Sequence, residues 1–253
     1  MDTKPEFTEE YLHCAMDIGE QMLMSGAEVS RVEDAIRRIC LSAGASRVDV
    51  MSITASIITT AHLADGKTFT ESRRITASAN NMDKLDQLND LCRRICSTHP
   101  APQKIQAEIR QINDGRQYPY WIKVCSYALV SGSFCVLFGG SWRDMIASAL
   151  IGILLKMLES VIRRRQVNAM LNVLLISLAG GVLSRLSVLS GLAGHADLVS
   201  YGNIMLFIPG VAFTNSLRDL FIGDTITGSI RLLESLLQAI VIAAGFTFAH
   251  YLF

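Results

Sequence analysis

Charge is scarce in the second half of this 253-residue sequence. Of its 46 Asp, Glu, Lys and Arg residues, 31 precede Tyr118, and the 136 residues from Tyr118 onward hold only 15. Water-facing surface needs more charge than that, so the sequence reads as a polar portion of about 115 residues followed by a largely hydrophobic one. Net charge is also missing, at zero, which removes the argument for nucleic acid as a partner. The start, MDTKPEFTEEY, has no basic stretch ahead of an apolar one. A cleaved signal peptide is therefore not expected, and the first domain is expected to stay in the cytoplasm.

Chemical motifs are absent as well. There is no G-x-S-x-G and no C-x-x-C, and GDTITGS at 223–229 has the glycines of a phosphate loop without its lysine. His13, His62 and His99 do not share metal-ligand spacing. The six cysteines are scattered, which reads as free thiols. The sequence thus offers no catalytic residue, no metal set and no cofactor loop, and an enzyme is not expected.

What is present begins with amphipathic helices. Leu12, Ala15, Met16, Gly19, Met22 and Leu23 recur at helical spacing, as do Val29, Val32, Ile36, Ile39, Cys40 and Ala43 after the break at Ser25-Gly26. Ser25 and Glu28 have the S-x-x-E spacing of a capping box. Glu33 and Arg37, like Asp34 and Arg38, are spaced as surface ion pairs. From Val48 to Ala61 the period becomes two, with a change of phase that suggests a bulge near Met51. Asp65-Gly66 predicts a hairpin turn into a half-exposed strand, Lys67 to Ile75. Two further helices follow around Leu85–Ile95 and Ile105–Ile112, ended by Asn113-Asp114-Gly115.

The hydrophobic remainder accommodates five spans, since a crossing needs about 20 residues for a core about 30 Å thick. They fall near 119–140, 143–162, 167–189, 198–217 and 229–252. Lys156 and Glu159 in the second are three apart and can reach one another. Arg110, Arg116 and Lys123, then Arg163-Arg164-Arg165, then Arg218 and Arg231 flank alternate turns, while the opposite turns carry almost no net positive charge. By the positive-inside rule the amino terminus is expected inside and the carboxyl terminus outside. The fold class expected is an α+β cytoplasmic domain, 1–117, followed by an all-α membrane domain of five transmembrane helices, 118–253.

Within the fourth span Pro209-Gly210 predicts a kink or a discontinuous helix. Freed backbone groups beside Thr214 and Asn215 could then meet a solute. Arg218 at the expected cytoplasmic end could attract a carboxylate, with Asp219 orienting it. Asn172 and Asn203 could line the path or join helices. Glu234, with Arg231 one turn before it, is the coupling candidate, because a carboxylate at that depth is costly unless paired or hydrated.

SGAEVSRVEDAIRRI at 25–39 and IPGVAFTNSLRDLFIGDTITGSIRLLES at 208–235, separated by a strand region and flanked by the five spans, resemble the threonine/serine exporter family. More closely the chain resembles its short amino-terminal component, similar to the larger half of a two-protein succinate exporter. The resemblance makes Ser25, Gly26, Ala27, Glu28, Arg31, Val32 and Glu33 a family motif of the cytoplasmic domain. It implies a secondary exporter of small polar carboxylate metabolites in the inner membrane. Its expected partners are the lipid bilayer, a carboxylate solute and a small membrane subunit supplying the module that longer members carry in one chain; a second copy of the chain is another candidate. The competing expectation is a membrane-tethered sensor with a ligand-binding cytoplasmic domain.

Overall fold

The computed structural model describes residues 7–76, 80–115, 118–165 and 167–252. The first six residues of the acidic start, the loop charge Arg116 and the terminal Phe253 lie outside them. By packing, the chain divides into two compact units. One comprises Met1–Arg116 with Thr214–Leu232, and the other Gln117–Phe213 with Leu233–Phe253.

The first unit is built on the helices that the periodicity predicts. Helix α1, Glu9–Met24, and helix α2, Val29–Ser42, bury Leu12, Met16, Ile36 and Ile39 completely, together with Leu88 and Ile95 of α3, Met82–Thr98, and Ile105 of α4, Pro102–Asn113. Asn81 caps α3 by accepting the Lys84 amide at 3.0 Å, which satisfies one of the unpaired amides of a helix start. The expected capping box at Ser25 and Glu28 does not form. Ser25 closes α1, its hydroxyl donating to the Gln21 carbonyl at 2.7 Å, and Glu28 is itself the residue before the first turn of α2. The i,i+4 pair of Asp34 and Arg38 forms at 2.8 Å, whereas Glu33 turns to accept the Ser52 amide at 2.8 Å.

Three antiparallel strands follow in the order β1-β2-β3: Arg47–Ile53, Ser56–His62 and Thr68–Arg74. The change of phase after Val50 comes from a turn at Thr54-Ala55, not from a bulge, for β1 and β2 pair without interruption from Arg47 opposite His62 to Ile53 opposite Ser56. A tight turn restarts the alternation, so Val48 and Ser52 face the core from β1 while Ile57, Thr59 and Ala61 face it from β2. The hairpin at Asp65-Gly66 is present, with Gly66 at φ +88°.

Among the described residues four helices are long and apolar enough to cross a membrane: α5, Tyr120–Leu137; α6, Trp142–Arg164; α7, Ala169–Leu189; and α10, Thr225–Leu252. The fourth expected span is instead two shorter helices, α8, Ala196–Ile204, and α9, Gly210–Ile222. Between them 205–209 leaves the helical path, because Pro209 has no amide to continue the ladder. The Pro209 carbonyl then accepts the Phe213 amide at 2.9 Å in the first turn of α9.

In the second unit the helices are joined by polar groups as well as by Ile151, Leu155, Ile176 and Val199. Ser141 and Asp144 form a complete capping box at the start of α6. The fully buried Asp144 also accepts the amides of Gly194 at 2.7 Å and His195 at 3.0 Å, tying α6 to the start of α8. Lys156 and Glu159 meet at 2.7 Å, and the Tyr127 hydroxyl donates to the same carboxylate at 2.8 Å.

Candidate functional site

The residues of the interrupted span fall into two settings. In the second unit the break takes the Phe207 carbonyl out of a helical ladder, and a side chain answers it: Gln238 of α10 donates to it at 3.0 Å. An unanswered peptide group away from water costs several kcal/mol, so this amide makes an open helix end tolerable. Asn203, in the last turn of α8, is fully buried. Its side chain accepts from Ser131 at 2.8 Å and donates to the Val199 carbonyl at 2.9 Å and to Ser148 at 3.3 Å. The amide is thus engaged in joining α5, α6 and α8. Asn172 of α7 is different, since its buried side-chain oxygen meets no hydrogen-bond donor. Glu234 stands on the exposed side of α10, among the outward-facing Ile230, Leu233 and Leu237.

In the first unit the carboxyl-terminal part of α9 and the start of α10 form a close hairpin. Gly223, at φ +103°, ends α9, a conformation that glycine adopts without strain. A Cβ on Gly228 would lie 2.8 Å from the Leu220 amide nitrogen and 3.0 Å from the Ser216 carbonyl oxygen. The glycines of GDTITGS therefore serve a helix turn and a backbone approach.

That hairpin brings the two sequence motifs together. Arg218 pairs with Glu28 at 2.9 Å, across a separation of 190 residues. Arg231 reaches Asp219 at 3.4 Å and donates to the Ala27 carbonyl at 3.3 Å. Asp219 is fully buried, and one of its oxygens finds no hydrogen bond. Thr214 is exposed and Asn215 half-buried on α9. The turn that presents Glu28 depends on Gly26 at φ +90°, where an added Cβ would also strike the Asn80 side chain.

The remaining motif residues divide between core and surface. Ala27 and Val32 are buried. Arg31 lines an open cleft of about 480 Å³ beside α2 and α3, with Arg38, Arg93, Asp34, Asp86 and Cys96. Among the described residues no group of three or more His, Cys, Asp or Glu could hold a metal ion.

The sequence did not disclose the pairing of Glu28 with Arg218, nor Asp144 as a buried anchor. For Asp144 a signal existed: S-W-R-D at 141–144 is a capping-box spacing. No local pattern signals a contact made 190 residues away.

Comparison with known proteins gives these arrangements a family. The model of the threonine/serine exporter family (ThrE) matches residues 13–253. A threonine/serine exporter of Corynebacterium glutamicum is 23% identical over 243 residues, covering 92% of this chain and 49% of that protein. Pheromone-regulated membrane protein 10 of Zygosaccharomyces rouxii is 24% identical over 185 residues, 70% of this chain and 18% of its own length. An uncharacterized protein of Schizosaccharomyces pombe is 24% identical over 190 residues, 71% and 22% respectively. The chain thus spans about half the length of the bacterial relative and about a fifth of the fungal ones. No solved structure matches. The match runs through both the amino-terminal motif and the interrupted span, and the chain belongs to the threonine/serine exporter family.

Proposed function

We propose that this chain is a subunit of a secondary exporter that moves small polar carboxylate metabolites out of the cytoplasm, either threonine and serine or a succinate-like dicarboxylate. The observation that carries the reading is the interrupted helix at 205–209, found in a member of an exporter family. A discontinuous helix near the middle of a membrane domain presents helix ends to a solute, which a plain anchor does not require. Arg218, Asp219, Thr214 and Asn215 follow the break, and Asn172 offers an unoccupied acceptor.

In this reading 1–117 is a cytoplasmic domain and 118–253 crosses the inner membrane five times, with α8 and α9 together making the fourth crossing. The length shared with the bacterial relative, 49%, supports a second membrane module that completes the transporter. Glu234 carries the coupling proton, because an exposed carboxylate on an apolar helix needs water or a partner beside it. Vesicles holding this chain, with and without a second membrane module, are loaded with labelled threonine and labelled succinate. Efflux of one solute that requires both modules supports the whole reading, and no efflux of either under any combination refutes it. Efflux by Glu234→Gln that still follows a pH gradient would remove the coupling role alone.

A further inference from the structure

A second polar site lies in the other unit, well away in sequence from residues 209–219. Helix α7 carries Arg185 about one turn from its end, in a span that holds no other charged residue. A guanidinium there is costly unless it meets an anion or water. Its guanidinium meets the imidazole of His250 on α10, one contact being at 3.1 Å, and no carboxylate pairs with it among the described residues. Arg185 and His250 form part of the wall of a pocket of about 290 Å³ enclosed by α7, α8 and α10. Asp197 and Ser200 of α8 and Thr247 of α10 face the same space. Asp197, in the first turn of α8, has no ion-pair partner among the described residues either.

We infer that this pocket is a solute site at the end of the helices expected to face outside, and that it selects a zwitterion. Arg185 receives the carboxylate, Asp197 receives the ammonium group, and Ser200 and Thr247 offer hydroxyls to a polar side chain. The volume is at the small end of ligand pockets, about 300 Å³ and upward, which suits an amino acid with a short side chain. The two charges stay apart instead of forming a bridge with each other, so each retains capacity for a ligand. A dicarboxylate would satisfy Arg185 and set its second negative charge against Asp197, and that repulsion is the basis of selection. The site thus separates two solute classes that the residues around Arg218 treat alike, and it rests on the exporter reading given above.

The test uses the full chain in intact cells, with Ala243, an exposed apolar residue of the same pocket, replaced by cysteine. Ala243→Cys is labelled with a membrane-impermeant maleimide, the chain without this change serving as the blank. The expected result is labelling from outside that external threonine slows about tenfold at ten times its Kd, the mass-action expectation, and that succinate slows far less. Asp197→Asn and Arg185→Gln should each weaken threonine protection at least about tenfold, the loss of one charge-assisted contact, and Arg185→Lys should restore part of it. Labelling that threonine does not slow, protection as strong by succinate as by threonine, or no outside labelling at all would each overturn the inference. Protection that persists while the native chain exports neither solute would instead refute the exporter reading and leave the site standing.

Discussion

At the scale of single residues the decisive contact is Glu28 on Arg218. An ion pair this exposed is worth about 0.2–1 kcal/mol, weak enough for a solute carboxylate to displace. If Arg218 receives solute at the inner entrance, Glu28 is its resident competitor. Arg218→Gln is then expected to lower export severely while the protein stays in the membrane, and Glu28→Gln to lower the half-saturating internal concentration by up to about fivefold. Concentration-dependent efflux from loaded vesicles measures both, and an unchanged value in Glu28→Gln would sink the competition. Cys96 gives a second test. Hydrogen bonding with Cys92 and Ser42, with Arg38 nearby, lowers its thiol below the usual range, while burial pushes Cys14 and Cys40 up to about 12. A lowered thiol pKa means thiolate above that pH. Iodoacetamide should therefore modify Cys96 ahead of Cys14 and Cys40, and at a lower pH than an ordinary thiol requires; peptide mass mapping across pH 5 to 8 reads the order. Only the local pairs at this scale were legible beforehand. Lys156 with Glu159 follows from helical spacing, whereas Glu33 left Arg37 for a backbone amide that no spacing rule describes.

At the scale of elements the sequence carried most of the fold. Periodicity placed four helices of the first unit, because burial along one side repeats every three to four residues, and the length of the apolar runs placed four long helices where spans were expected. It misread the strands, since a two-residue turn and a bulge shift the alternation in the same way. It anticipated the interruption at Pro209 but not its remedy at Gln238, which lies in a different helix. The turn between α9 and α10 was expected from the flanking arginines, but not the close backbone approach at Gly228. Gly228→Val is expected to lower stability by about 1–3 kcal/mol, as overpacked sites do, because the new side chain meets, besides Leu220 Cγ, backbone atoms of Leu220 and Ser216 on α9 that cannot turn aside. Thermal unfolding of the detergent-purified chain checks this, and an unshifted midpoint would mean that the approach is looser than described.

For the whole molecule the alternating loop charge makes one prediction that packing does not. Reporters fused at Gly194 and after residue 253 should both report the outside, and one following Asp114 the inside. An inside signal at Gly194 would reverse the assignment of every span. The site itself was legible here only as a list of unusual residues in apolar surroundings; which of them meet depends on how distant segments fold together. One such meeting constrains how the chain is made. Residues 214–232 complete the packing of a unit whose first 116 residues leave the ribosome long before them. The nascent amino-terminal domain must wait, without the partners of the turn at 25–28, until the hairpin of α9 and α10 has been synthesised. A chain that stops before residue 214 would lack Arg218 and Arg231, the partners of Glu28 and of the Ala27 carbonyl, and would leave that turn more open to hydrogen exchange and proteolysis.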